Sequence, residues 1–328
     1  MSGMSEPSQN SCDLTVQLGP LTLAHPIVNA SGTMELFELA DVFGDDMMKA
    51  PPVAAYVPKT ITLEPRAGNR PPRILETPAG MINAIGLSGE GLEAFVRERL
   101  PRLLALPCPT ILSIGGFSPA EYVDLARGLR IALEESVGEG WEHRTGLELN
   151  ISCPNVHSGC LLIGAEPRET AAVVSAVRKE WPGLLIAKLT PNVTDIAEVA
   201  SAAQSGGADA VAAVNTYMGL VIDRSTLRPI LGNMVGGVSG PAIKPLALRA
   251  VFEIFARVEI PIIGIGGVAC AQDAVDFLAC GARVVAVGCA GFSDPWLSGR
   301  VAADLGRELD ARQFGLEDVV GIAHRPQQ

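Results

Sequence analysis

The chain has 328 residues, of which 48% are hydrophobic and 19% charged, enough apolar surface for a large core and too much for a disordered chain. Aromatics make up only 5%, so the core is aliphatic, and a net charge of −11 repels phosphate backbones and excludes nucleic acid as an expected partner. The longest uncharged runs, Leu14 to Met34 and Leu103 to Ala120, are interrupted by proline and glycine, which excludes a membrane-spanning helix in either.

Residues 1–12 lack the basic start and apolar stretch of a secretory signal and read as a short disordered leader. The seven cysteines are scattered without a Cys-x-x-Cys pair, which points to free thiols in a reducing cytoplasm and against a zinc or iron–sulfur cage within this chain. Leu14–Gln17, Gly19-Pro20 and Leu21–Leu23 resemble a hairpin suited to closing the bottom of a barrel. Eight candidate strands follow: Pro26–Ala30, Val53–Thr60, Thr110–Ile114, Leu147–Ile151, Leu184–Leu189, Ala210–Asn215, Pro261–Ile265 and Val284–Gly288. Most are continuous aliphatic runs without alternation, as parallel strands buried on both faces require. Helical patterns lie between most of them, at Gly91–Leu104, Ala120–Glu135, Pro167–Lys179, Asp195–Ser205, Pro245–Ala256 and Ala271–Ala279. The alternation predicts a single (β/α)8 barrel over residues 13–310, followed by a tail at 311–328. A doubly wound sheet is the rival, but it needs a glycine-rich loop after the first strand, and none is visible. The longest connection, Tyr217 to Lys244, reads as a lid or an interface arm.

Polar residues at the ends of these strands converge, in a barrel, on one mouth. Lys59 ends the second strand, Asn150 the fourth, Lys188 lies in the fifth, and Asn215 and Thr216 end the sixth. A lysine inside an apolar strand needs an anionic partner, so each of Lys59 and Lys188 is either a structural ion pair or part of a ligand site. Strand seven runs into Gly264-Ile-Gly266-Gly267 and strand eight into Gly288-Cys289, and glycine turns at these two places form the usual phosphate site of such barrels. A phosphate-bearing cofactor is implied. Cys153, in Asn150-Ile-Ser-Cys-Pro-Asn155, lies at the same mouth and is the candidate base, with Cys160 as its rival. The other five cysteines read as packing, and the four histidines show no metal spacing. His157 beside Cys153 suggests a Cys–His nucleophile only weakly, because no oxyanion device accompanies it.

From Leu18 to about Asp294 the chain resembles the dihydroorotate dehydrogenases, class 1, in the B-type that serves as catalytic subunit of an NAD-linked complex. The matching segments are Asn29-Ala-Ser-Gly32, Pro58-Lys-Thr60, Glu64-Pro-Arg66, Gly68-Asn-Arg-Pro-Pro-Arg73 and Glu76-Thr-Pro-Ala-Gly-Met-Ile-Asn-Ala-Ile-Gly-Leu87. They continue in order through Leu149-Asn-Ile-Ser-Cys-Pro-Asn-Val156, Lys188-Leu-Thr-Pro-Asn-Val193, Asn215-Thr216, Ser239-Gly-Pro-Ala-Ile-Lys-Pro245, Ile263-Gly-Ile-Gly-Gly-Val268 and Val287-Gly288. The resemblance implies FMN-dependent oxidation of (S)-dihydroorotate to orotate in pyrimidine biosynthesis. By it, FMN is held by Ser31, Lys59, Thr60, Ser113, Asn150, Lys188, Val214, Gly240, Gly266, Gly267, Gly288 and Cys289, the glycines and Cys289 through backbone N–H groups on the phosphate. Lys188 faces the N1/O2 edge of the flavin and stabilises its reduced form. The pyrimidine ring and its carboxylate fall to Lys59, Asn83, Ala84, Ile85, Gly86, Leu87, Asn150, Asn155, Asn215 and Thr216. Amides that both donate and accept suit a ring of alternating C=O and N–H groups. Cys153 removes the C5 proton while the C6 hydride leaves for flavin N5.

Three positions depart from the family pattern: Ser113-Ile-Gly-Gly116 replaces Asn-Val-Ala-Gly, Cys289 replaces threonine, and His157 to Gly164 form a different loop. The first weakens a flavin contact, the second removes a hydroxyl but keeps a backbone contact, and the third bears on lid motion or substrate. The Gly80-Met-Ile-Asn-Ala-Ile-Gly-Leu87 motif implies electron transfer to a second subunit bearing FAD and a [2Fe–2S] cluster, in a heterotetramer built on a homodimer, since this chain carries neither a cluster motif nor an early dinucleotide fingerprint. A fumarate-linked homodimer is one alternative. The quinone-linked membrane subclass does not fit, because it carries serine at the base position and an N-terminal amphipathic extension. A dihydropyrimidine dehydrogenase subunit acting on uracil or thymine is the other, since Ala187-Lys-Leu-Thr-Pro-Asn-Val-Thr-Asp-Ile196 is similar to that group; Asn155 after the proline favours dihydroorotate, and Cys160 favours the rival. A barrel that binds a phosphorylated ligand without turnover is the non-enzymatic reading.

Overall fold

The structure, a computed structural model, describes residues 12–152 and 160–326, and only the backbone of 160–162. Most of the leader, and Cys153, Asn155 and His157, lie outside the described residues, as does the side chain of Cys160.

Strands β1 (Val16–Leu18) and β2 (Leu21–Leu23) pair antiparallel around Gly19. Their Val and Leu side chains are buried, while Gln17 and Thr22 face out and hydrogen-bond to each other. The hairpin turn packs on Leu184, so it lies at the end of the barrel where strands begin, as expected. The strands that follow are β3 (Ile27–Asn29), β4 (Ile74–Thr77), β5 (Gly80–Asn83), β6 (Thr110–Ile114), β7 (Thr145–Asn150), β8 (Leu185–Lys188) and β9 (Ala210–Ala213). After them come β10 (Tyr217–Leu220), β11 (Val235–Ser239), β12 (Ile262–Ile265) and β13 (Val284–Val287). Seven form one parallel sheet in the order β3-β13-β12-β9-β8-β7-β6. Every residue of β6, β7, β8, β9, β12 and β13 is buried, which is why these segments are mainly aliphatic, and the polar residues among them, such as Ser113, Glu148, Asn150 and Lys188, need partners inside the barrel.

The eighth stave corrects the expectation of a regular strand at Val53–Thr60. That segment makes isolated parallel bridges, Tyr56 with Thr110 and Ile61 with Ile114, and no continuous ladder. Pro58 has no N–H to give, so a ladder cannot run through it. On the β3 side, Ala54 N–H donates to Ile27 C=O at 2.9 Å. Beyond it the Asn29 side chain replaces the ladder: its Nδ2 donates to Val57 C=O at 2.7 Å, and Val57 N–H donates to its Oδ1 at 2.9 Å. These contacts close the sheet into a (β/α)8 barrel.

Helices cover the outside. Pro119–Val137 starts on Ser118, whose Oγ accepts from Glu121 N–H, and Ile196–Ser205 starts on Asp195 in the same way. The expected helix over Gly91–Leu104 is helical at Leu92–Ala94 and Leu100–Leu104, with a π-helical stretch at Phe95–Arg99 ahead of Pro101, which cannot donate in the preceding turn. The helix Leu297–Arg312 follows β13; beyond it Leu316 and Val319 are buried against the barrel.

The long connection from Tyr217 to Lys244 is ordered by pairing. It contributes β10 and β11 to an antiparallel sheet, β10-β11-β5-β4, in which Gly237 faces Asn83 and Ser239 faces Met81. This sheet stands over the barrel mouth and has its own small core of Ile82, Ala84 and Leu231. Among the described residues no helix is long and apolar enough to cross a membrane.

Candidate functional site

A cavity of about 360 Å³ opens where the barrel strands end, within the size range of small-ligand sites. Every barrel strand except β6 delivers a residue to it: β3 leads to Ser31, the irregular stave to Lys59 and Thr60, β7 ends on Asn150, and β8 ends on Lys188. β9 leads to Val214, Asn215 and Thr216, β12 to Gly266 and Gly267, and β13 to Gly288 and Cys289. Gly240 after β11, and Asn83, Ile85, Gly86 and Leu87 after β5, complete the wall from the side of the antiparallel sheet. Ser113 and Ala84 do not reach it. Ser113 is fully buried beneath Thr60, and Ala84 packs in the small core of the upper sheet.

One end of the cavity is backbone. Gly240 and Gly267 have φ of +104° and +77°, a region that side-chain-bearing residues rarely enter. A Cβ on Gly240 would also lie 2.5 Å from Gly80 Cα, and one on Gly267 would lie 2.8 Å from Gly240 O. Gly288 is glycine for a different reason. Its φ is an ordinary −101°, and a Cβ there would find only Ala30 Cβ, at 4.0 Å. It would project into open space at the cavity wall, so glycine here keeps room for a ligand. This cradle fits a phosphate-bearing group, which needs bare N–H groups and close approach. Burial pushes the neighbouring Cys289 thiol up, against a hydrogen bond with Ser239, so at neutral pH it is an uncharged lining group. Behind the cradle Lys244 is clamped by Asp273 and by Asp276, the latter at 2.7 Å.

The floor of the cavity is made of buried side chains. Lys188 and Asn150 stand in register on adjacent strands. Lys188 Nζ lies 3.5 Å from Glu148 Oε1, with the two side chains 6% and 5% exposed. The pairing required of a lysine in an apolar strand is therefore met by Glu148, which no sequence motif marked and only its place in the apolar run of β7 suggested. Ser113 Oγ donates to Glu148 Oε1 at 2.9 Å and lies 3.0 Å from Thr60 Oγ1. Thr60 Oγ1 accepts from Asn150 Nδ2 at 3.0 Å and lies 3.2 Å from Ser31 Oγ. Asn215 Nδ2 donates to Ser152 Oγ at 2.8 Å, and Tyr122 O–H donates to Asn150 C=O at 2.9 Å. The residue before Cys153 is thus fixed at the cavity edge.

Lys59 is half-buried and donates to Ser88 Oγ at 3.2 Å, and it makes no contact ion pair with a carboxylate among the described residues. Lys59 lines the cavity, and a cation in its wall suits a carboxylate-bearing ligand. Glu35, another residue that sequence reasoning missed, shares that wall. Burial raises its carboxyl above the ordinary range, with Glu38 adding and Lys59 and Arg99 opposing. The Gly68–Arg73 segment acts from behind: Asn69 Nδ2 donates to Ala84 C=O at 3.1 Å, and Ala84 N–H donates to Arg73 C=O at 2.7 Å, so it props the loop that carries Asn83 to Leu87.

A sequence profile described as Dihydroorotate dehydrogenase matches residues 13–309. The chain is 46% identical over 315 residues to the "Dihydroorotate dehydrogenase B (NAD(+)), catalytic subunit" of Desulforudis audaxviator, covering 94% of this chain and 97% of that protein. The proteins of the same name from Trichlorobacter lovleyi and Geobacter sulfurreducens are each 42% identical, over 311 and 307 residues, covering 94% of this chain and 97% and 96% of their own.

Proposed function

Because the chain belongs to the dihydroorotate dehydrogenase family, we propose that it oxidises (S)-dihydroorotate to orotate, with FMN in the mouth cavity, as the catalytic subunit of an NAD-linked enzyme of pyrimidine synthesis. The observation that carries this reading is the meeting, in one cavity, of a glycine cradle at one end and the Lys188–Asn150 floor at the other, with the Lys59 cation beside them.

Gly240, Gly266, Gly267, Gly288 and Cys289 hold the phosphate through backbone N–H groups, and Ser31, Lys59, Thr60, Asn150, Lys188 and Val214 hold the ring system. FMN bound there supplies the two-electron acceptor for the hydride leaving C6. Lys59 pairs with the substrate carboxylate, and Asn83 to Leu87, Asn150, Asn155, Asn215 and Thr216 bracket the pyrimidine. Cys153 takes the C5 proton; it follows Ser152, which Asn215 and Asn150 anchor. Ser113 and Ala84 act from behind the wall, through Thr60 and Asn69.

A separate subunit with FAD and a [2Fe–2S] cluster passes the electrons to NAD, on a homodimeric core, in the cytoplasm. An exposed aromatic edge adjoins the cavity: Phe292 lines it, and Trp296, four residues on, packs edge-to-face on Phe43 with centroids 4.7 Å apart. This edge offers such a subunit an apolar surface.

Anaerobic titration of the purified FMN-loaded chain tests the reading, with dihydroorotate and dihydrouracil added in parallel and the visible flavin band followed. Bleaching by dihydroorotate alone is expected. Bleaching by dihydrouracil alone would transfer the assignment to the dihydropyrimidine group and the base to Cys160. Cys153→Ala should slow bleaching by about 10²–10⁴-fold, the usual contribution of a positioned base.

A further inference from the structure

Glu148 and Lys188 are the two charged side chains that are fully buried among the described residues. Lys188 lines the cavity; Glu148 does not. It lies two residues before Asn150 on β7, hence on the same inward face and one level deeper, opposite Ser113 of β6. The Lys188 ammonium offsets the cost of burying the Glu148 carboxylate, and a carboxylate only accepts hydrogen bonds.

That one-sidedness propagates. Ser113 has one proton, and it is committed to Glu148, so toward Thr60 it offers lone pairs. Ser31 has committed its proton to Pro58 C=O at 2.9 Å, so it too only accepts from Thr60. The Thr60 proton is shared between these two acceptors, and its oxygen receives Asn150 Nδ2. Asn150 is thereby turned so that Oδ1 faces Ser152 Oγ and Asn215 Nδ2, at 3.2 and 3.3 Å. An amide at position 148 would supply donors and let the whole run point either way.

We propose that Glu148 is a positioning residue: by pairing with Lys188 and committing the Ser113 proton, its carboxylate sets the charge that Lys188 presents to the cavity and the orientation in which Thr60 and Asn150 meet a bound ring. The inference rests on the FMN reading above.

The test is the midpoint potential of bound FMN, measured by equilibration with redox dyes from pH 6 to pH 9, in the unmodified protein and in Glu148→Gln, which keeps the shape and removes the charge. At pH 6 the unshared Lys188 cation should favour reduction about tenfold or more, an upward shift of about 30 mV for a two-electron couple. A potential that tracks the unmodified protein at every pH overturns the charge role. Ser113→Ala keeps both charges and removes the committed proton. It should leave the potential in place while KM for dihydroorotate rises about fivefold, the worth of one hydrogen bond, and kcat changes less. An unchanged KM overturns the orienting role, and Ser113→Ala decides that role even if Glu148→Gln fails to fold. Failure of the functional reading looks different: unmodified protein that holds FMN but is not bleached by dihydroorotate loses its substrate assignment, while the comparison of potentials still stands.

Discussion

The two ends of the mouth cavity are built by opposite means. At the glycine end, Gly240, Gly266, Gly267 and Gly288 present main chain, and what matters is the absence of side chains. At the floor, Lys188, Asn150 and Thr60 present side chains, held in turn by Glu148 and Ser113, and what matters is that each buried polar group has its partner. The first kind of site fails when volume is added. The second fails when a partner is taken away, because the group left behind stays buried without compensation. Substitutions at the two ends should therefore differ in kind.

The largest effect is expected at the floor. Lys188→Ala strands the Glu148 carboxylate and should cost about 3–5 kcal/mol of stability, read by denaturant unfolding of the FMN-free protein. A loss under about 1 kcal/mol would show that the pair is not held dry. Next comes Gly267→Ala, where the positive φ and the approach to Gly240 O should cost about 1–3 kcal/mol and weaken FMN binding as well. Gly288→Ala separates space from strain: stability should stay within about 0.5 kcal/mol, while FMN affinity, measured by fluorescence quenching, falls about tenfold. Equal losses of stability in the two glycine variants would erase the distinction drawn between them.

The smallest effect lies behind the glycine end and depends on pH. Burial works against the Asp273 carboxylate, but hydrogen bonds from Lys244 and from the N–H groups of Ala269 and Cys270 outweigh it and hold it below the ordinary carboxylate range. A carboxyl with a depressed folded value contributes stability above the unfolded value, about pH 3.9, and loses it as pH falls through the folded one. Lys244→Ala should therefore lower Tm at pH 7 and change it little at pH 2. A deficit of the same size at both pH values would exclude the ion pair as its source.

Much of the barrel was legible because its strands are buried on both faces. Thr110–Ile114 and Ala271–Ala279 come out with the predicted limits, and the glycines after β12 and β13 line the mouth cavity. Where local pattern and tertiary demand differ, reading failed. Val53–Thr60 is apolar enough for a strand, yet Pro58 breaks its ladder and the Asn29 side chain makes up the loss. Tyr217 to Lys244 read as a lid or an interface arm, and its two strands were not visible because β10 and β11 find their partners across the chain, through β5. Ser113 looked like a flavin contact because its position in the strand was visible, but not the depth to which its side chain is buried.

The sequence by itself determined the barrel class, the family and the residues that end each strand, since periodicity, glycine placement and motif order are local properties of the chain. Only the tertiary structure decided what those residues stand on. Glu148 and Lys188 are forty positions apart and carry no shared motif, and their pairing exists because β7 and β8 lie side by side. Whether a buried charge has a partner, and which way a hydroxyl points its single proton, are properties of neighbours in space, and those are set when the barrel closes.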